Sequence, residues 1–439
     1  IGAIVGVALA SLGVDALKAF GPADLPRLAS IEVDGRVLLF SSFAAIVSGL
    51  ALGLAPALRA SRVELTAALQ EGGHSTQERA RLGLRSALVS IQVALSFVLL
   101  VGFALFLRSS WQLQQVDPGL DPDGLLTVNV QLPTDVEEGT APPGGPLGEM
   151  VDRVRALSGV VSAAGADQLP LFGGPYNGVH RGDRTPQVAS DYVPATRRIV
   201  TEDFFRTMGI RLQTGRGFER TDAPDSRPVT VVSRMLAERL YPDEDPLERI
   251  MVLPWGDGIP MTIVGVADDV RDFGPAMEPR PAFYMSFRQL PYNLTDMRLA
   301  IRTAAEPTAL VPSVRGAIRE VDPNAPLFRV GTMASWLAES TARSRFTVIL
   351  LCAFAVLALV LSATGLYGVT AGYVAMSRRS IGIRAALGAS PRQAVGRVLA
   401  RAGLMAGSGL VAGLLASVAL AQVIRGMLFQ VQPAAPVTY

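Results

Sequence analysis

The chain of 439 residues contains one cysteine, two histidines and a single lysine, Lys18. With Cys352 alone, neither an intrachain disulfide nor a thiolate metal cage can form. His74 and His180 stand far apart in segments that read as polar, solvated loops, so no Ser/His/Asp or Cys/His catalytic set is expected. A Walker A loop needs Gly-Lys-Ser/Thr to hold phosphates, and Lys18 follows Leu17. The chain therefore carries no standard P-loop, and any ATP chemistry must come from a partner. The same lysine shortage removes a kinase reading of "RDFG" (Arg271–Gly274), because a kinase also needs its strand lysine. Charge is scarce at 18%, and the net charge of +2 offers no broad basic field for nucleic acid. No metal and no cofactor is expected.

What is abundant is apolar residue: 49% of the chain, with a mean hydropathy of +0.35. Crossing about 30 Å of hydrocarbon takes roughly 20 mostly apolar residues. Five segments qualify or nearly do: Ile1–Leu12, Val37–Leu58, Ser86–Leu107, Phe346–Ser377 and Ala402–Ile424. Phe346–Ser377 runs for 32 residues without a charge. One such run could be a buried core helix, but several point to a multi-pass membrane protein embedded in a lipid bilayer. Starting at Ile1 inside an apolar run, the chain reads as a fragment.

Arginine placement sets the expected orientation. Arg59, Arg62, Arg79, Arg81 and Arg85 crowd one loop, and Arg378–Arg401 holds six arginines and no acid. Both loops are expected in the cytoplasm, which places Ser109–Ser344 outside. There "LLTVNVQL", "RPVTVVS", "MTIVGVADD" and "MRLAIRT" read as strands. "PLGEMVDRVRAL", "SRMLAERLY" and "PTALVPSVRGAIREV" have helical spacing. Interleaved strands and helices describe an α+β or α/β domain, with two subdomains and a flexible loop at Glu137–Pro146. "DPGLDPDG" (Asp117–Gly124) fails the calcium-loop spacing and reads as a turn. "RGD" (Arg181–Asp183) and "NLT" (Asn293–Thr295) are matches of letters only.

A faint repeat relates "GAIVGVALAS" to "GLVAGLLASVA". Each opens Gly-x-x-x-Gly, at Gly2/Gly6 and Gly409/Gly413, a spacing that lets membrane helices approach closely. Two homologous membrane halves are one source of such a repeat.

The most informative stretch is "MSRRSIGIRAALGASPRQ" (Met376–Gln393). Gly388 suits a helix C-terminus, and Ser390-Pro391-Arg392-Gln393 suits a capped helix start. A helical hairpin follows, over 376–396, with Arg379 and Arg384 beside the apolar Ile381, Ile383 and Leu387. A plain positive-inside loop would explain the arginines but not these apolar residues.

"SRRSIGIRAALGASPRQAVGRVLARAG" resembles the signature of the MacB/FtsX-like ABC transporter permeases, matching at Ile381, Gly382, Ile383, Arg384, Ala386, Leu387, Gly388 and Ala389. "VTEDFFRTMGIRLQTGRGF", "PVTVVSRMLAERLYPDEDPLERI" and "TIVGVADDVRDFG" are similar to the family's outer domain. The overall pattern is most similar to the duplicated orphan permease (ADOP) branch. The resemblance implies an α-helical membrane protein with five visible transmembrane segments and an α+β extracytoplasmic domain, the MacB-like periplasmic core domain. Residues 1–60 would then be the last two helices of a first permease unit, 61–85 a cytoplasmic linker, and 86–108 the first helix of a second unit. Residues 109–345 would be its outer domain, 346–425 further helices with the hairpin, and 426–439 an outer segment before a missing final helix. It further implies a bacterial inner-membrane location, an ABC ATPase partner touched by Arg379, Ile381, Gly382, Ile383, Arg384, Leu387 and Gly388, and an extracytoplasmic protein or cargo. Ser380 departs from the family's usual Glu, which removes a carboxylate from that contact. The remaining reading is an ATP-independent receptor or regulator on the same fold.

Overall fold

The computed structural model describes residues 6–8, 11–15, 18, 34–60, 74–132, 145–289, 294, 296–387 and 390–424. It divides into two compact units, one comprising Ile1–Gln112 with Ala342–Tyr439 and the other Leu113–Thr341.

The first unit is helical. Its helices are α1 (Gly35–Ala60), α2 (His74–Gln114), α7 (Met333–Ala386) and α8 (Pro391–Ile424), the second and third running into the other unit's sequence. Three stretches among the described residues are long and apolar enough to cross a membrane: Ser86–Gln114, Arg345–Ala375 and Pro391–Leu420. Gly6–Asp15 and Gly35–Val47 are shorter apolar helices.

The second unit is α+β. Its strands are β1 (Leu125–Gln131), β2 (Val160–Ala166), β3 (Tyr176–Arg181), β4 (Val193–Val200), β5 (Leu212–Gly215), β6 (Val229–Ser233), β7 (Ile250–Leu253), β8 (Ile259–Ala267), β9 (Ala282–Ser286), β10 (Asp296–Thr303) and β11 (Leu327–Thr332). Its own helices are α3 (Gly145–Arg155), α4 (Phe204–Met208), α5 (Arg234–Leu240) and α6 (Val311–Val321).

The pairings make two bodies out of one sheet. β11, β1, β10 and β2 form an antiparallel ladder. β4, β3, β7, β8, β6 and β9 pair in turn, and β9 returns to β4 in parallel, so this second set closes on itself. Closure removes the free edges that an open sheet must protect. A single register pair, Ala166 with Val200, joins ladder to ring.

Helix patterning explains the layers. Leu147, Met150, Val151 and Val154 fall on one face of α3, and Val314, Ala317 and Ile318 on one face of α6. Both helices join the same core cluster as Val128 and Leu299 of the ladder. A second cluster holds Leu125, Ala164, Phe204, Phe205 and Tyr284. Strand β1 is buried from Leu125 to Val130, as a strand covered on both faces must be.

Three expectations are corrected. His74 opens α2 rather than lying in a loop. His180 is on β3 rather than in a loop, half-buried with its ring edge-on to Tyr192 at 5.4 Å, because ring pairing leaves little free chain there. Of the expected loop at Glu137–Pro146, Gly145 and Pro146 belong to α3, where proline's fixed φ suits the first turn. The rest of that loop lies outside the described residues, as do Asn293 and Thr295.

Candidate functional site

The hairpin has a short turn. Helix α7 ends at Ala386, the Leu387 amide donates to the Ile383 carbonyl at 3.1 Å, and α8 opens at Pro391. The Gln393 amide donates to the Ser390 carbonyl at 3.0 Å. Arg401 places its guanidinium 4.6 Å above the Tyr373 ring, so α7 and α8 lie side by side. Tyr373 and Arg401 are equally far in sequence from Leu387, so the two arms are antiparallel and of matched length. Near the turn Ile383 is 56% exposed and Leu387 82%. A Cβ added at Gly382 would meet open space. The backbones of Arg379, Ile381 and Arg384 lie in α7, but their side chains fall outside the described part, and Gly388 is outside the described residues.

Of the four glycines read as packing positions, Gly2 is outside the described residues, and Gly6 has open space around it. Gly409 and Gly413 meet α2 backbone. A Cβ at Gly409 would lie 2.5 Å from the Ser90 carbonyl oxygen, and one at Gly413 would lie 2.8 Å from that of Ala94. The Ser90 hydroxyl donates to the Met405 carbonyl at 3.1 Å and lies 3.0 Å from the Ser408 hydroxyl. On the other side of α2, Ser96 lies 2.7 Å from the Ser362 hydroxyl and donates to the Ala358 carbonyl at 2.9 Å. A Cβ at Gly365 would sit 2.8 Å from the Gln92 side-chain oxygen. Helix α2 is thus clasped between α7 and α8 by small and hydroxyl residues, the groups that hold helices together where lipid competes for apolar contact. Ser90, Gln92, Ser96 and Ser362 were not singled out from the sequence. Their signal is a polar residue recurring within an apolar run. With Cys352 replaced by Ala, a Ser96→Cys, Ser362→Cys variant is expected to form a disulfide on mild oxidation, since the native hydroxyls already touch. Absence of the cross-link on a denaturing gel would overturn this packing.

The α+β unit has an ionic centre of its own. Arg198 of β4 is fully buried and ion-paired with the equally buried Asp272, and it donates to the Gln168 carbonyl at 2.9 Å. Asp167 accepts from the amides of Ile199 and Gln168 at 2.9 and 2.8 Å and pairs with Arg197 at 3.1 Å. Burial pushes the Asp167 carboxyl above its ordinary value, against the pull of those amides and arginines. Burial likewise pushes up the Tyr284 hydroxyl, which lies in the same interior. The cluster sits where the ladder meets the ring. Its Asp272 comes from the "RDFG" stretch.

A cavity of about 460 Å³ opens beside β3, lined by His180, Arg181, Arg184, Asp191, Arg239 and Glu244. Arg181 of the Arg-Gly-Asp stretch folds back on Asp183 at 2.7 Å and Glu244 at 3.1 Å, and covers the Tyr241 ring at 4.3 Å. That arginine is paired within the domain and is mostly covered. Among the described residues, no group of three or more His, Cys, Asp and Glu side chains is placed to hold a metal.

Comparison with known proteins places this architecture. The model of the MacB-like periplasmic core domain matches residues 86–321, and that of the FtsX-like permease C-terminal region matches residues 352–439. The chain is 29% identical over 197 residues to the macrolide export ATP-binding/permease protein MacB of Chromobacterium violaceum, across 43% of this chain and 30% of that protein. It is 36% identical over 69 residues to MacB of Haemophilus ducreyi, across 16% of this chain and 10% of that protein. The chain thus matches under a third of these relatives' length. The periplasmic region of MacB from Actinobacillus actinomycetemcomitans superposes with a TM-score of 0.34 at 12% identity, covering 49% of this chain and 92% of that one. With one matched region spanning more than half of the chain and the second following it, the chain belongs to the MacB/FtsX-like ABC transporter permease family.

Proposed function

We propose that this permease works in the bacterial inner membrane as the membrane subunit of an ABC-type transporter or mechanotransmission complex, with ATP hydrolysed by a separate partner. The reading takes the 376–396 hairpin as the cytoplasmic contact for that ATPase, and residues 109–345 as the outer domain that receives its motion. It keeps five spans, counting Ile1–Leu12 and Val37–Leu58 with the three long apolar helices. The observation that carries it is the hairpin itself: two antiparallel arms end in exposed Ile383 and Leu387 amid six arginines and no acid. Apolar residues in such a place favour a protein partner over solvent. The single lysine, Lys18, follows Leu17 rather than the glycine of a Walker A loop, which supports placing ATP hydrolysis in a separate partner.

The test uses the full-length chain, tagged and extracted gently from its native membrane. An ATP-hydrolysing subunit is expected to co-purify, and Arg384→Glu with Leu387→Asp is expected to reduce it more than tenfold. Equal recovery in both forms would sink the hairpin as the contact. A permease that purifies without any ATPase in either form would favour an ATP-independent receptor or regulator, the second reading. That reading draws support from Ser380, where the family's usual carboxylate is absent.

A further inference from the structure

The segment Asp268–Gly274 follows β8 and makes more long-range polar contacts than a connecting loop requires. Its three aspartates each grip a different element. Asp268 accepts from Arg211 at 3.0 Å and Gln213 at 2.7 Å, at β5. Asp269 accepts from the Met235 amide at 2.8 Å and pairs with Arg234 at 2.8 Å, at the start of α5. Asp272 holds the buried Arg198 of β4. All three elements belong to the ring or lean on it.

The same segment also holds both ends of the α+β unit. At the entering end, the Arg271 amide donates to the Pro118 carbonyl at 3.0 Å. Gly119, at φ +78, lies so close that a Cβ there would sit 2.3 Å from the Asp269 carbonyl oxygen. At the leaving end, Gly274, at φ +92, faces Ser340 of α7, where a Cβ would reach ordinary van der Waals contact at 3.5 Å from that side chain. Leu120, Val270 and Met333, one from each strand of chain, share one buried cluster. The Asp272 carbonyl accepts from the Gly173 amide at 3.0 Å, which ties in the loop after β2.

We propose that Asp268–Gly274 is a mechanical joint: it clamps the entering segment 113–121 and the leaving segment 333–341 to the closed ring, so that displacement of either is felt at the other and at the ring. Arg198–Asp272 is its pin. A buried charge pair suits this role because sliding it apart would strand an unpaired charge in the interior, so the joint moves as one piece or not at all. Gly119 suits it because its positive φ and lack of a Cβ let backbone meet backbone without a compliant side chain between them. The proposal concerns the α+β unit itself and stands whether or not an ATPase docks at the hairpin.

The test is amide hydrogen exchange on the full chain in lipid nanodiscs, read peptide by peptide. Gly119→Ala acts at the entering contact, where its Cβ would press on the Asp269 backbone, and removes neither partner of the ion pair. It is expected to raise exchange at least tenfold in 113–121, and also in 168–175 and 333–341, while β1 and α3 keep their protection. Arg198→Met with Asp272→Leu, which removes the pin without leaving a lone charge, is expected to raise exchange in the same three segments. A rise confined to 113–121 in the first variant, or no rise in either, would overturn the coupling. So would an equal loss of protection throughout the unit, since the segment would then be ordinary core.

Discussion

Asp272→Ala is expected to destabilise the α+β unit by about 3–5 kcal/mol, the cost of leaving one partner of a buried pair without the other. Arg198 is fully buried, its pair with Asp272 is out of water, and its other bond runs to the Gln168 carbonyl. Removing the carboxylate strands a guanidinium that cannot lose its proton. For a unit of this size that loss lowers the melting temperature by about 10 °C, at roughly 2–4 °C per kcal/mol. Replacing both partners by apolar residues of similar volume should cost far less, because the desolvation of two charges is then also removed. Thermal unfolding of the full chain, followed by near-UV circular dichroism, separates the cases. If Asp272→Ala and the double apolar variant melt together, the pair contributes volume and not charge.

Gly409→Val with Gly413→Val is expected to force α8 away from α2. The new Cβ atoms would stand 2.5 and 2.8 Å from backbone carbonyl oxygens of Ser90 and Ala94, and backbone cannot step aside as a flexible side chain can. Overpacking costs about 1–3 kcal/mol at each site, and separation also loses the Ser90–Ser408 contact. Gly403→Ala with Gly407→Ala is the matched control, since nothing lies within 4 Å of either position. Alanine is the better helix former by about 1 kcal/mol, so the control should hold or gain stability. The measurement is disulfide capture between Ser90→Cys and Ser408→Cys, with Cys352→Ala. Capture should fail in the valine pair and persist in the alanine pair. Persistence in both would mean that the two helices are not held by close backbone approach.

How much was legible beforehand follows from what each pattern reports. "LLTVNVQL", "MTIVGVADD" and "MRLAIRT" were read as strands because their apolar, β-branched runs are bounded by turn residues, and β1, β8 and β10 cover them within two residues. "PLGEMVDRVRAL" and "PTALVPSVRGAIREV" showed helical periodicity; α3 starts one residue before the first and ends two short of its end, and α6 lies within the second. Strand β4 escaped notice because "VPATRRIV" carries two adjacent arginines, which read as surface. Arg198 is interior only because Asp272, more than seventy residues later, is brought to it. Strand β2, "VVSAAGA", is rich in small residues of weak strand preference. Its place is set by neighbours, as the Met297 sulfur leaves no room for a Cβ at Gly165.

The hairpin was legible at the level of its turn and opaque at the level of its contacts. Pro391 was read as a first helical residue, and α8 begins there, with the Gln393 amide bonded to the Ser390 backbone carbonyl. What no local rule could supply was that α2 runs between α7 and α8, with Ser96 meeting Ser362 and Gly409 meeting Ser90.

By itself the amino-acid sequence determined the apolar helices, the family signature around Arg384 and the separate α+β unit, because length, hydropathy and capping act over a few turns of chain. Only the tertiary structure decided that six strands close into a ring, that Arg198 and Asp272 meet in its interior, and that Arg271 bonds back to Pro118 at the unit's entering end. Those contacts join residues tens to hundreds of positions apart, and they form only once burial has chosen which polar groups must find each other out of water.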